Sequence, residues 1–250
     1  GIRNQVYHCN EGHAAFIGVE RIRDLVNHRK LSFSEALEVV RSSSLFTTHT
    51  PVPAGHDAFP ESMIRQYMSH YPDVLGITWE QYINLGKTNP NDPNEKFSMS
   101  VLACNLSQEV NGVSWLHGEV SKDILGNMWP GYFKNELHIG YVTNGVHFPT
   151  WIATSLRRLY ARYFADGFEG HVYNIPAWQK VYNIPDAELW EERMKLKNKL
   201  IRHIRKRYSD PNQVRLESPR QMLQIIDGIK PDVLTIGFAR RFATYKRAYL

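Results

Sequence analysis

Four cations stand close together near the end of the chain, a density typical of an anion-binding site. They are Arg240, Arg241, Lys246 and Arg247. An Arg guanidinium can grip a phosphate with two parallel hydrogen bonds, and a Lys ammonium adds a compact charge. A solvated basic helix end is the simplest alternative. We treat this segment as a candidate phosphate site.

The residues around these cations predict a strand followed by a helix. Val233, Leu234 and Ile236 form a short apolar run, typical of a parallel strand buried on both faces, and Gly237 follows it. Thr244 is a suitable N-cap for the helix. Because free backbone N–H groups at a helix N-terminus attract anions, we expect the strand-to-helix turn to bind phosphate.

Two earlier segments carry polar side chains at the ends of predicted strands. Glu11 and His13 follow a predicted strand at 6–8 and precede a helical pattern. His49 follows a predicted strand at 45–48, in a loop that its prolines keep extended. Carboxylate and imidazole groups at such positions can reach into a cleft and hydrogen-bond a ligand, so both segments are candidate functional loops.

A metal site is the competing interpretation of these histidines. His8, Glu11 and His13 fit neither the H-E-x-x-H pattern nor its inverse. His56 could join His49, but nothing fixes the direction of a third ligand. We therefore predict no metal site, and purely structural histidines remain an alternative for His13 and His49. A serine hydrolase lacks support because the chain has no G-x-S-x-G elbow.

Composition indicates a globular chain of one large or two ordinary domains. Its 250 residues are 42% hydrophobic and 12% aromatic, which is enough to bury a core. No run approaches the length of a membrane span and no signal pattern opens the chain, so we expect a cytoplasmic protein without a membrane partner. Cys9 and Cys104 predict free thiols.

The positive net charge makes a nucleic-acid-binding module an alternative function. A net charge of +5 and an isoelectric point near 9.1 would suit such a module. Much of the excess, however, lies in Lys195–Arg207 on one long predicted helix. A solvated helix face explains this pattern, and we expect no nucleic-acid partner.

The order of predicted elements indicates an α/β protein. Strands predicted at 6–8, 45–48 and 138–142 alternate with helices, one of which begins at the capping box Ser32-x-x-Glu35. The third strand ends in the turn Asn144-Gly145, and we place a domain boundary there.

Five motifs, in order, resemble those of the α-glucan phosphorylases, the family of glycogen, starch and maltodextrin phosphorylases. They are HCNEGHAAF at 8–16, TTHTPVPAGHD at 47–57, VNGVSWLHGEVSK at 110–122, YVTNGVHFPTW at 141–151 and RRFATYKR at 240–247. The motifs are most similar to those of the short bacterial and archaeal branch, which is not allosterically regulated.

The resemblance implies a GT-B type glycosyltransferase fold, in which two Rossmann-like halves face each other across a cleft. Residues 1–145 would complete the first half, and residues 146–250 would begin the cofactor- and phosphate-binding half. We expect the chain to be an internal fragment, because it lacks an initial Met and its last residue lies inside a predicted helix.

The resemblance also implies that four residues contact a sugar substrate. Glu11 would lie near the sugar hydroxyls, directly or through His13 or water. His49 would contact the glucosyl unit with its side chain and offer its backbone carbonyl near C1. Asn144 would bind a sugar hydroxyl.

The cation cluster would serve two phosphate groups. Arg241 would bind the substrate phosphate, and Lys246, with Arg240 beside it, would bind the 5′-phosphate of pyridoxal phosphate. His49, Arg241 and Lys246 are thus the expected catalytic residues, and the Schiff-base lysine would lie outside this chain.

The implied reaction joins α-1,4-glucan and inorganic phosphate to give glucose 1-phosphate and a shortened glucan. We expect the parent protein to be a homo-oligomer and the fragment to be inactive alone. A retaining glycosyltransferase that uses a sugar nucleotide is the main enzymatic alternative, and it would have no use for pyridoxal phosphate.

Overall fold

The chain divides into two compact units, Gly1–Gly145 and Val146–Leu250. The computed structural model describes residues 4–52, 55–164, 168–170, 172–208, 218–240, 246–247 and 249. None of the helices in this described part is long and apolar enough to cross a membrane.

Strands and helices alternate through the first unit. In chain order, they are β1 (Tyr7–Asn10), α1 (Phe16–Arg29), α2 (Phe33–Ser42), β2 (Ser44–Thr47), β3 (Ala58–Phe59), α3 (Glu61–Met68), α4 (Tyr71–Leu75), α5 (Trp79–Asn84), β4 (Phe97–Ser98), α6 (Met99–Asn105), β5 (Glu109–Gly112), α7 (Trp115–Leu125) and β6 (Gly140–Tyr141). A 3₁₀ turn at Gly12–Ala14 leads into α1.

The central sheet of this unit is parallel. Its described strands lie in the order β1-β2-β5-β6, and each neighbouring pair is parallel. Phe46 lies opposite Cys9 on one side and Val110 on the other. The mixed α/β architecture with a parallel sheet confirms the predicted class.

Local sequence explains where the second helix begins. The Ser32 hydroxyl accepts the N–H of Glu35, and the Glu35 carboxylate accepts the N–H of Ser32 at 2.8 Å. This reciprocal pair satisfies two backbone donors that the helix leaves open, so the predicted capping box is confirmed.

The core of the first unit lies where α1 and α6 meet the sheet and its flanking helices. Val19 and Ile22 of α1, Phe46 of β2, Phe97 of β4 and Leu102 of α6 are almost completely buried. Helix α6 is the most enclosed element, since its residues from Met99 to Cys104 are all buried. This packing fixes the first turn of α6 against the turn that follows β1.

The second unit is helical over its described residues and has its own aromatic core. Its helices are α8 (Phe148–Trp151), α9 (Thr154–Tyr163), α10 (Ile175–Trp178), α11 (Asp186–Tyr208) and α12 (Pro219–Gly228). Phe164 and Phe168 pack edge to face with ring centroids 4.3 Å apart, and Trp178 packs edge to face on both. Edge-to-face pairs are the favoured arrangement of aromatic rings.

The predicted strand near the end of the chain is wrong. Residues 234–239 have no regular secondary structure, and Leu234 and Ile236 are 84% and 85% exposed. A parallel strand needs a neighbour to pair its backbone groups, and the described part of the second unit contains no other strand. Thr244, the predicted N-cap, lies outside the described residues, and Arg247 has a non-helical φ of 52°.

Truncating a core side chain of α6 should destabilise the first unit. We expect Leu102→Ala to lower the free energy of unfolding by about 2–5 kcal/mol, because it leaves a cavity in a fully buried site. Urea denaturation measures this change. Leu116→Ala is the matched control, since Leu116 is 63% exposed and its truncation should have little effect. Equal losses in both variants would contradict the burial described for α6.

Candidate active site

The predicted sugar contacts follow three strands of the parallel sheet at the edge where those strands end. Glu11 follows β1, His49 follows β2, and Asn144 follows β6. Carboxyl ends of parallel strands share one edge of a sheet, which is the usual ligand position in α/β folds. The sheet therefore gathers residues that lie more than 130 positions apart in the sequence.

Glu11 and His49 are joined directly. The Glu11 carboxylate accepts the backbone N–H of His49 at 2.5 Å and the hydroxyl of Thr50 at 3.0 Å, both on the same oxygen. The backbone N–H of Glu11 donates to the Thr47 carbonyl at 2.9 Å. The carboxylate thus fixes the start of the loop that carries His49, through charge-assisted hydrogen bonds.

The backbone of Glu11 is strained. Its φ of 77° and ψ of 160° lie in a region that is essentially restricted to glycine. Such a conformation costs about 1–3 kcal/mol and persists only where surrounding contacts impose it. The next residue, Gly12, supplies part of that constraint, because a β-carbon there would lie 3.0 Å from the backbone of Met99 and Ser100.

The His49 imidazole is held at the open edge of the sheet. Its Nε2 lies 2.5 Å from Asn10 Oδ1, and its side chain is exposed. With the amide oxygen accepting, Nε2 carries the proton and Nδ1 is left to accept a hydrogen bond from a ligand hydroxyl. His13, in the 3₁₀ turn after Glu11, is also exposed.

A second set of hydrogen bonds connects side chains of the strands that carry these residues. Thr47 Oγ1 lies 2.8 Å from His8 Nε2 and donates to Asn111 Oδ1 at 3.0 Å. These hydrogen bonds link β1, β2 and β5 through the side chains of His8, Thr47 and Asn111. The sequence pattern alone predicted no role for Thr47, Thr50 or Asn111, although all three lie within the phosphorylase-like motifs.

Asn144 lies on the same edge but farther along the sheet. Its backbone N–H donates to the Val113 carbonyl at 3.0 Å, and its side chain is exposed. Strand β5 lies between β2 and β6. At the usual strand spacing, the ends of β2 and β6, which lead to His49 and Asn144, are therefore about 10 Å apart. That separation suits opposite sides of one sugar ring rather than a single hydrogen-bonded group.

The predicted phosphate ligands belong to the second unit. Arg240 is exposed in a bend, and Lys246 is half-buried, whereas Arg241 lies outside the described residues. No cluster of three or more potential metal ligands occurs in the part of the chain that the structure describes.

Comparison with known proteins decides the family. The sequence model of the carbohydrate phosphorylases matches residues 2–226. The chain belongs to the carbohydrate phosphorylase family. It is 41% identical to a glycogen phosphorylase of Mycobacterium tuberculosis over 98% of its length, and 40% identical to one of Aquifex aeolicus over 99%. It is 38% identical to a maltodextrin phosphorylase of Thermococcus litoralis over its whole length.

These alignments cover only a minor share of the relatives. This phosphorylase chain spans 28% of the Mycobacterium and Thermococcus proteins and 35% of the Aquifex protein. The activity of a whole phosphorylase is therefore a proposal for this chain.

The contact between Glu11 and the His49 loop yields a direct test. Glu11→Ala removes the acceptor of the His49 N–H, so that amide should exchange with solvent about 10–100-fold faster, which corresponds to losing a charged hydrogen bond of about 1.5–3 kcal/mol. Hydrogen–deuterium exchange measures the rate.

Glu38→Ala is the matched control for this measurement. Glu38 is a solvent-exposed helix residue whose carboxylate pairs with Arg41 on the same helix at 3.2 Å. Its removal should leave the His49 amide unchanged. An unaltered His49 exchange rate in Glu11→Ala would show that the carboxylate does not hold the loop.

Proposed function

We propose that this chain is part of an α-glucan phosphorylase. The enzyme would transfer a glucosyl unit from the end of an α-1,4-glucan to inorganic phosphate, with retention at C1, and release glucose 1-phosphate. The observation that carries the proposal is the fixed Glu11–His49 pair at the carboxyl end of a parallel sheet, in a chain of the carbohydrate phosphorylase family.

The first unit would bind the glucosyl unit. Phosphorolysis passes through an oxocarbenium-like transition state, which a nearby oxygen dipole stabilises. His49 would place its backbone carbonyl near C1 and its ring against a sugar hydroxyl. Because the Glu11 carboxylate holds the N–H of His49, the whole residue is oriented before the substrate binds. Asn144 would bind a hydroxyl farther along the sheet, and His13 would complete the contacts of Glu11.

The second unit would bind phosphate. Arg241 would take the substrate phosphate, and Lys246 with Arg240 would hold the 5′-phosphate of pyridoxal phosphate. Guanidinium and ammonium donors fit that group chemically. When bound, the cofactor supplies a phosphate that exchanges a proton with the substrate phosphate. The Schiff-base lysine is not assigned to any residue of this chain.

The fold proposed for the whole enzyme has two Rossmann-like halves of GT-B type. The unit Gly1–Gly145 would end the first half and Val146–Leu250 would begin the second. We further propose a cytoplasmic homo-oligomer whose ligands are α-glucan and phosphate, with no nucleic-acid partner.

The decisive assay uses the full-length protein that contains this chain, purified with its native cofactor. We expect it to release glucose 1-phosphate from maltodextrin only when inorganic phosphate is present, and the 250-residue chain alone to release none. The chain alone should fail because it spans only 28% of the Mycobacterium relative, and the Schiff-base lysine would lie outside it. A sugar-nucleotide-dependent transferase would instead ignore phosphate, and activity of the isolated chain would contradict the assignment of an incomplete unit.

Replacing the proposed phosphate ligand tests the second unit. In the full-length protein, Arg241→Ala should raise the phosphate KM and remove about 2–4 kcal/mol of transition-state stabilisation, the usual loss for an electrostatic donor at the reacting group. Steady-state kinetics with varied phosphate measures both effects. Arg220→Ala, in the first turn of α12, is the matched control, and an unchanged rate in Arg241→Ala would place the phosphate elsewhere.

A further inference from the structure

The loop that carries His49 is fastened at both ends. It leaves β2 at Thr48 and reaches β3 at Ala58, and the Glu11 carboxylate holds its first residues. Strand β3 pairs with β4 in antiparallel register, with Ala58 opposite Ser98. The far end of the loop is therefore set beside the start of α6.

His56 adds a side-chain attachment just before that point. Its Nδ1 lies 2.6 Å from the Ser100 hydroxyl, and the carbonyl of the next residue, Asp57, accepts the Met99 N–H at 2.9 Å. Met99 and Ser100 are the first residues of α6, in which Met99 to Cys104 are all buried. The imidazole thus joins the loop to one of the most rigidly packed elements of the unit.

Close contacts connect His56 back to Glu11 by two routes. A β-carbon at Gly55 would lie 2.6 Å from Thr50 Cγ2, so the loop folds back against the residue that Glu11 holds. Ser100 Oγ would lie 3.1 Å from a β-carbon at Gly12, the neighbour of Glu11. A shift of the His56 ring would therefore move Thr50 on the loop and Gly12 beside Glu11, and so disturb the hydrogen bond between Glu11 and His49.

The partial burial of His56 favours its neutral form. Its Nε2 is buried and has no hydrogen-bond partner among the described residues. Burial lowers the pKa of the ring below its ordinary value, although Glu11, the Thr50 backbone and Asp57 act to raise it, and His117 of α7 lowers it further. The neutral ring can pair its Nδ1 with the Ser100 hydroxyl in either direction, as donor or as acceptor, because a hydroxyl does both.

We infer that His56 is a positioning residue whose neutral imidazole, bound to Ser100, sets the conformation of the loop and hence the placement of His49 against the glucosyl unit. The inference rests on the proposed phosphorylase function. Because His49 would act at C1, the position of His56 would affect the rate of glucosyl transfer. His56 itself would not contact the substrate.

Acid should weaken this arrangement. The folded state keeps the ring neutral, so its contribution to stability is present above the ordinary imidazole pKa of about 6.5. That contribution is lost as the pH falls through the lower pKa of the folded chain. Protonation would place a positive charge on this partly buried ring, and the loss of solvation opposes that charge.

The test compares four variants of the full-length protein. His56→Ala and Ser100→Ala remove the link, and His56→Asn keeps a donor near the position of Nδ1 but cannot titrate. His28→Asn is the control, since His28 is an exposed histidine that pairs with Asp24 on α1. Steady-state phosphorolysis is measured across the acid range, and deuterium exchange is measured over residues 47–52.

We expect the first two variants to lower kcat about 10-fold or more, with KM changed less than about twofold, because misplacing a reacting group by a fraction of an ångström slows the reaction. His56→Asn should restore most of kcat and remove the acid-side step that His56 contributes to the pH profile. Deuterium exchange over residues 47–52 should be faster in His56→Ala and Ser100→Ala, and His28→Asn should match the wild type in every measurement.

Two results would overturn the inference. One is a kcat within about twofold of wild type in both His56→Ala and Ser100→Ala. The other is unchanged exchange over residues 47–52 in both, which can be read even if the wild-type protein releases no glucose 1-phosphate. Absence of wild-type phosphorolysis would refute the proposed function, whereas faster exchange in that protein would still support the positioning of the loop by His56.

Discussion

Backbone hydrogen bonding between neighbouring segments continues beyond the last paired residue of each strand, and the candidate site depends on this continuation. The N–H of Glu11 donates to Thr47, that of Thr48 to Asn111, and that of Asn144 to Val113, at 2.9–3.0 Å. Each loop therefore leaves the sheet from a position fixed by its neighbour. Functional loops on a rigid sheet edge lose little conformational freedom when a ligand binds, which favours catalysis.

The strain at Glu11 is understandable only in this setting. Its backbone conformation is unfavourable by about 1–3 kcal/mol, whereas each hydrogen bond to a carboxylate contributes about 1.5–3 kcal/mol. The two bonds to His49 and Thr50 can therefore offset the strain. Glycine at this position would remove the strain but also the acceptor, so the site keeps a glutamate in a conformation that favours glycine.

Sequence could predict those parts of the fold that depend on neighbouring residues. The capping box at Ser32 was predictable because both partners lie within four positions, and the strands before Glu11 and His49 because their apolar patterns are local. The strand at 232–238 was predicted from the same kind of pattern but does not form, since pairing depends on distant strands. The His56–Ser100 hydrogen bond joins residues 44 positions apart, so no local sequence pattern could predict it.

The geometry also refines what Glu11 can do. One carboxylate oxygen is occupied by the N–H of His49 and the hydroxyl of Thr50. Only the other oxygen can face a sugar hydroxyl, whereas His13, His49 and Asn144 have exposed side chains at the same edge of the sheet. The partly buried and the exposed groups of the site therefore have different roles. The partly buried carboxylate orients the loop, and under the proposed function the exposed imidazole and amide groups would contact the sugar.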